Sequence, residues 1–248
     1  MKDIVAALLF FTRLPAGWFG WLEIPPESFA KVINYWAVTG WLTAGVMAGT
    51  LWLSSLVWPY PVAVALALLS RTLATGALHE DGLADFLDGF GGGRTKGRIL
   101  DIMKDSHIGT YGVAGLLFYF LLLYLLLVFM PLSLACTMIL VADPFCKLLS
   151  AQLVRLLPYA RTAESSKSGC VYAKPSFRSA LLSGVAGLLP LLLLPGIKWL
   201  ILLPLPAILF SLLAWRMKRG IGGYTGDCCG AAFLLTELAF FLGVYLIN

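Results

Sequence analysis

"TYGVAGLLFYFLLLYLLLVFM", residues 110–130, runs 21 positions without a charged side chain. As a helix it reaches about 30 Å, the thickness of a bilayer's hydrocarbon layer. Pro131 follows, and a second apolar run extends to about 152, so the two read as a helical hairpin. Working outward, similar runs fall near 34–56, 60–78, 179–196, 198–215 and 228–247, which makes seven expected spans. Backbone polar groups inside lipid need internal partners, so each span is expected to be a helix. Mean hydropathy of +0.88 with 12% charged residues contrasts with about 25% charged in soluble domains. The expected fold is therefore an all-α, polytopic integral membrane protein. It forms a single domain over 1–248, with residues 1–15 as an interfacial helix ahead of the spans.

The basic residues orient those spans. Loops on one side carry fifteen Lys and Arg, and those on the other carry only Lys198. Arg71 and Lys147 lie within spans. By the positive-inside rule the N-terminus and the polar loops face the cytoplasm, with the C-terminus outside. The net charge of +5 thus speaks for membrane lipid as a partner and not for nucleic acid. The five cysteines form no CxxC pair and have no histidine at metal-ligand spacing, which leaves zinc and a disulfide framework without support. The sequence permits a homo-oligomer without requiring one.

Six of the thirteen acidic residues fall between 80 and 105. If span two continues as a helix through "LHEDGLADFLDG", then Asp81, Asp85 and Asp88 share one face at i, i+4 and i+7. Asp101 and Asp105 repeat the i, i+4 spacing on a second helical stretch leading into the next span. Like charges about 4 Å apart repel by roughly 4 kcal/mol at an effective dielectric of 20, and a divalent cation reverses that sign. All-oxygen ligands suit Mg²⁺, as one ion or two, with Mn²⁺ as a substitute. Residues 79–109 therefore read as a cytoplasmic metal-site region, with Asp81, Asp85, Asp88 and Asp101 as ligands. Glu80 is either a further ligand from the side or a solvated neighbour. Arg94, Arg98 and Lys104 are placed to neutralise phosphate. The glycines at 89 and 91–93 end the helix and allow backbone to approach a ligand.

Two resemblances bear on this region. "DFLDG" at 85–89 and "GRILDIMKD" at 97–105 are similar to the acid pattern of CDP-alcohol phosphotransferases, although the Ala-Arg pair of that family is missing. By that analogy Asp105 is the general base. More of the chain resembles the cobalamin synthase family of adenosylcobinamide-GDP ribazoletransferases, through "FTRLP" (11–15), "LHEDGLADFLDGFGGG" (78–93), "IMKDSHIGTYG" (102–112) and "GGYTGDCCGA" (222–231). That resemblance implies a Mg²⁺-dependent transfer of adenosylcobinamide phosphate from adenosylcobinamide-GDP to α-ribazole or its 5′-phosphate, releasing GMP. A phospholipid-forming phosphotransferase and a divalent-cation transporter are the alternative readings.

Further residues carry two readings each. Arg13 meets lipid phosphate or, as the family resemblance implies, substrate. Gly223 and Asp227 belong to a glycine-rich cytoplasmic loop that could close over nucleotide or corrinoid, although an N-cap alone explains Asp227. His79 and His107 are either bases or solvated helix-end residues. Arg71 with Glu237, and Asp143 with Lys147, are expected as buried pairs. Trp36, Trp52, Trp58 and Trp199 read as interfacial belts.

Overall fold

A computed structural model describes residues 1–161 and 171–247; Lys167 and Cys170, counted above, lie outside the described residues. The described chain is helical, with a single isolated bridge between Tyr159 and Tyr224. The helices are α1 (Lys2–Phe11), α2 (Trp36–Ser55), α3 (Tyr60–Thr75), α4 (Leu78–Gly92), α5 (Lys96–Lys104), α6 (Thr110–Val128), α7 (Leu132–Ala151), α8 (Leu153–Leu156), α9 (Phe177–Leu188), α10 (Pro204–Ile221) and α11 (Gly226–Val244). Four cysteines (136, 146, 228 and 229) are free thiols.

Helices occupy every position where the sequence predicts a span, but they differ in their capacity to cross a bilayer. Four are long and apolar enough: Thr110–Val128, Leu132–Leu156, Ile197–Ile221 and Gly226–Val244. The pair α3 and α4 passes only jointly, bent by 89°, as a broken span or a re-entrant loop. Small and hydroxylated residues dilute the apolarity of the 20-residue α2. The segment Phe177–Leu193 is short, tightening into a 3₁₀ turn at Leu189–Leu193 around Pro190. The protein is an all-α, polytopic membrane protein. Residues Lys2–Phe11 do form the expected terminal helix, with Val5, Ala6, Ala7 and Phe11 buried where α1 meets α2 and the 3₁₀ segment Pro26–Tyr35.

The continuous helix expected through Asp88 is broken. Gly76 and Ala77 both adopt left-handed backbone (φ 64° and 58°), and the chain turns into α4. Arg13 fastens this elbow: its N–H donates to Ala74 O at 2.7 Å, and its guanidinium covers Gly76 so closely that a Cβ there would collide with it. Only glycine fits both the backbone angle and the space.

The buried charges pair as their positions suggest. Arg71 donates to Glu237, and the Tyr119 hydroxyl joins both, at 2.7 Å from Arg71 and 3.0 Å from Glu237. Lys147 pairs with Asp143 at 2.6 Å and donates to Thr43, whose hydroxyl donates in turn to Asp143. The Phe233 ring meets both cations, with its centroid 5.9 Å from Arg71 and 4.8 Å from Lys147. A neutral set of four charges thus sits in the bundle with each ion partnered, the arrangement a low-dielectric interior requires.

Candidate active site

The crossing of α4 over α11 builds the site. A Cβ on Gly82 would lie 3.0 Å from Asp227 O, and one on Gly230 would lie 3.2 Å from His79 O. Two glycines therefore let the helices meet backbone to backbone. That contact brings Asp81, from the first acidic motif, and Asp227, from the last, to the rim of one cavity of about 310 Å³. Phe10 and Phe11 of α1, Trp36 of α2, and Tyr159 and Tyr172 supply aromatic walls; Thr225 and Arg161 add polar groups. Arg161 Nη2 donates to Leu100 O at 3.0 Å, joining the wall to α5.

The acids of α4 separate by orientation. Asp81 is exposed on the cavity, and Asp85 is half-buried one turn on. Glu80 turns inward: it is 4% exposed, it accepts from the Thr72 hydroxyl at 3.3 Å, and its Oε2 has no hydrogen-bond partner among the described residues. Asp88 also turns inward and accepts two backbone N–H groups, from Gly109 at 2.7 Å and Gly112 at 2.9 Å. Among the described residues, no three Asp, Glu, His or Cys side chains converge to hold a metal ion. The carboxylate chemistry still suits Mg²⁺, which commonly takes one or two protein carboxylates together with substrate phosphates and water.

The remaining candidates lie elsewhere. Arg94, Arg98, Asp101, Lys104 and Asp105 are exposed and do not line the cavity. Thr95 caps α5 by accepting from Arg98 N, and the helix stops at Lys104, so Asp105 belongs to a turn and not to a helix running into α6. Asp105 accepts from His107 N at 3.0 Å and meets His107 Nδ1 at 2.7 Å. The His107 backbone N–H, and then its imidazole, hold the Asp105 carboxyl below the ordinary carboxylate range. Arg13 is exposed at the elbow. Gly223 is buried against Pro158 O in the backbone strap that pairs Tyr159 with Tyr224. Thr225, not Asp227, caps α11, accepting from Cys228 N at 3.3 Å. Gly89 and Gly93 pack against Met103 and Ile99 of α5, which is the close approach those glycines allow.

Several cavity residues carry no sequence signal. Trp36 is 1% exposed, stacked 5.2 Å from Phe11 at 18°, and so is not an interfacial residue; Trp199 is likewise buried, whereas Trp52 and Trp58 are exposed. His79 packs against Phe11, Trp36 and Phe233. Tyr159, Arg161 and Tyr172 lie in sequence with no hydrophobic periodicity to mark them.

A sequence model of the cobalamin-5-phosphate synthase family matches residues 3–245. A protein of Shewanella baltica (strain OS185) described as adenosylcobinamide-GDP ribazoletransferase is 37% identical over 237 residues, covering 94% of this chain and 90% of its own. A protein of the same description from Shewanella sp. (strain W3-18-1) is 35% identical over 247 residues, covering 98% and 94%. No solved structure matches the chain.

Proposed function

Because the chain belongs to the cobalamin-5-phosphate synthase family, we propose that it is an adenosylcobinamide-GDP ribazoletransferase of late cobalamin biosynthesis. It transfers the adenosylcobinamide phosphoryl group to α-ribazole or its 5′-phosphate and releases GMP. The observation that carries this reading is the meeting of Asp81 and Asp227, 146 positions apart, on one aromatic-walled cavity.

In the reaction a ribosyl hydroxyl forms a bond to the phosphorus on the cobinamide side of the diphosphate. The bond from that phosphorus to the bridging oxygen breaks, the electron pair leaves with GMP, and the hydroxyl proton goes to a base. Such transfers depend on positioning and on neutralising charge. The aromatic walls receive a ring system by stacking, and Asp227 accepts hydrogen bonds from sugar hydroxyls or base N–H groups. Arg161 faces the diphosphate, and Arg94, Arg98 and Lys104 on the adjoining α5 segment draw its two negative charges in. Asp105, on the exposed turn after α5 with His107 Nδ1 2.7 Å from its carboxylate, takes the proton.

Asp81 and Asp85, one turn apart on α4, would hold Mg²⁺ arriving with the diphosphate. When bound, the ion supplies charge neutralisation at the phosphoryl oxygens. The enzyme works at the cytoplasmic face of the bacterial inner membrane, with its N-terminus inside. Purified protein in detergent, given adenosylcobinamide-GDP and α-ribazole, should release GMP with added Mg²⁺ and stop in excess chelator. CMP from a CDP-alcohol, or no GMP at all, would overturn the assignment.

A further inference from the structure

We infer that Asp88 is a positioning residue, a clasp between α4 and the start of α6, and not a ligand of the metal; its catalytic consequence rests on the function proposed above. Gly109 stands at the N-cap of α6 and has no side chain with which to cap it. The first and fourth N–H groups of that end, on Gly109 and Gly112, are those a local capping box would satisfy. Here the acceptor comes from 21 to 24 residues earlier, with Asp88 Oδ2 taking Gly109 N at 2.7 Å and Oδ1 taking Gly112 N at 2.9 Å.

The glycines are part of the device. A Cβ at either 109 or 112 would fall 2.5 Å from an Asp88 oxygen, so the carboxylate occupies the space that side chains would fill. The negative charge is already met by the positive end of a 19-residue helix, and needs no cation for compensation. Asp88 is only 7% exposed, and neither the acid-lined cavity nor any three-residue donor cluster among the described residues includes it. The clasp fixes the chain just after Asp105 and His107 against the helix that carries Asp81 and Asp85. It therefore sets where the proton acceptor stands.

Two readouts on Asp88→Asn test this. The amide side chain can accept from only one of the two N–H groups, so hydrogen exchange of a peptide spanning 109–113 should quicken about tenfold, with exchange in α11 unchanged. GMP release should fall about tenfold or more in kcat, while the Mg²⁺ concentration giving half-maximal rate stays within about twofold. If Asp88→Asn does not fold, Gly112→Ala, which displaces the carboxylate without removing it, should give the same pair of results. Unchanged exchange at 109–113 together with a tenfold or larger rise in the Mg²⁺ requirement would overturn the clasp and make Asp88 a ligand. If the wild-type protein releases no GMP, the proposed function fails, and the exchange measurement alone still decides the clasp.

Discussion

Replacing Glu237 by Leu strips the buried guanidinium of Arg71 of its carboxylate partner. Arg71 and Glu237 are 2% and 1% exposed, and the hydroxyl of Tyr119 closes the triad. Breaking a buried pair from one side costs about 3–5 kcal/mol, because the abandoned charge can neither leave nor find water. The Tyr119 hydroxyl offsets little of this, since one neutral hydrogen bond contributes about 1 kcal/mol. Arg71→Met, leaving Glu237 stranded, should cost a similar amount. The double replacement should cost far less than the two singles together, giving a coupling of about 2 kcal/mol or more. Reversible unfolding in mixed micelles of the wild type, both singles and the double closes the cycle, with Tyr119→Phe alongside to isolate the hydroxyl. Singles below about 1 kcal/mol, or a strictly additive double, would refute a paired charge in the interior and require water at that depth.

Gly76→Ala should destabilise by about 1–3 kcal/mol through the left-handed backbone and the collision with Arg13, seen as faster proteolysis at the elbow and a lower Tm. Asp81→Asn should leave Tm within a few degrees, because the side chain is exposed, yet lower GMP release about a hundredfold. His107→Ala should raise the Asp105 pKa toward its ordinary value in a carboxyl titration followed by NMR. Because the folded-state pKa is depressed, the stabilising contribution is present above the unfolded carboxylate pKa and is lost as pH falls through the lower folded value. The wild type should therefore keep its carboxylate ionised to a lower pH than the variant does. Thr225→Ala should cost about 1 kcal/mol by uncapping α11, measured by thermal unfolding.

The membrane class was legible because an uncharged stretch such as 110–130 permits no other environment, and the paired charges were legible because an isolated ion in lipid is prohibitive. The sharp turn at Gly76–Ala77 was not, since "ATGAL" reads equally as helix; what breaks it is the Arg13 side chain arriving from 63 positions away. Helical spacing put Asp81, Asp85 and Asp88 on one face, yet the helix packs between α6 and α11, so those residues meet different neighbours. Asp81 reaches the cavity and Asp88 meets backbone donors. Periodicity describes one helix, whereas solvent access is decided by what lies against it. Asp105 shows the opposite case, in which a plausible i, i+4 partner of Asp101 falls just past the last turn of α5. Trp36 reads as a belt residue because nothing local distinguishes a ring under lipid headgroups from one inside a binding wall.

At the place where Gly82 faces Asp227 and Gly230 faces His79, neither helix has any bulk to yield. A methyl group added to one strand of this seam would act as a wedge, tilting both acidic motifs away from each other at once. Two stretches 146 positions apart are thereby coupled mechanically, so neither can change shape while the other stays still.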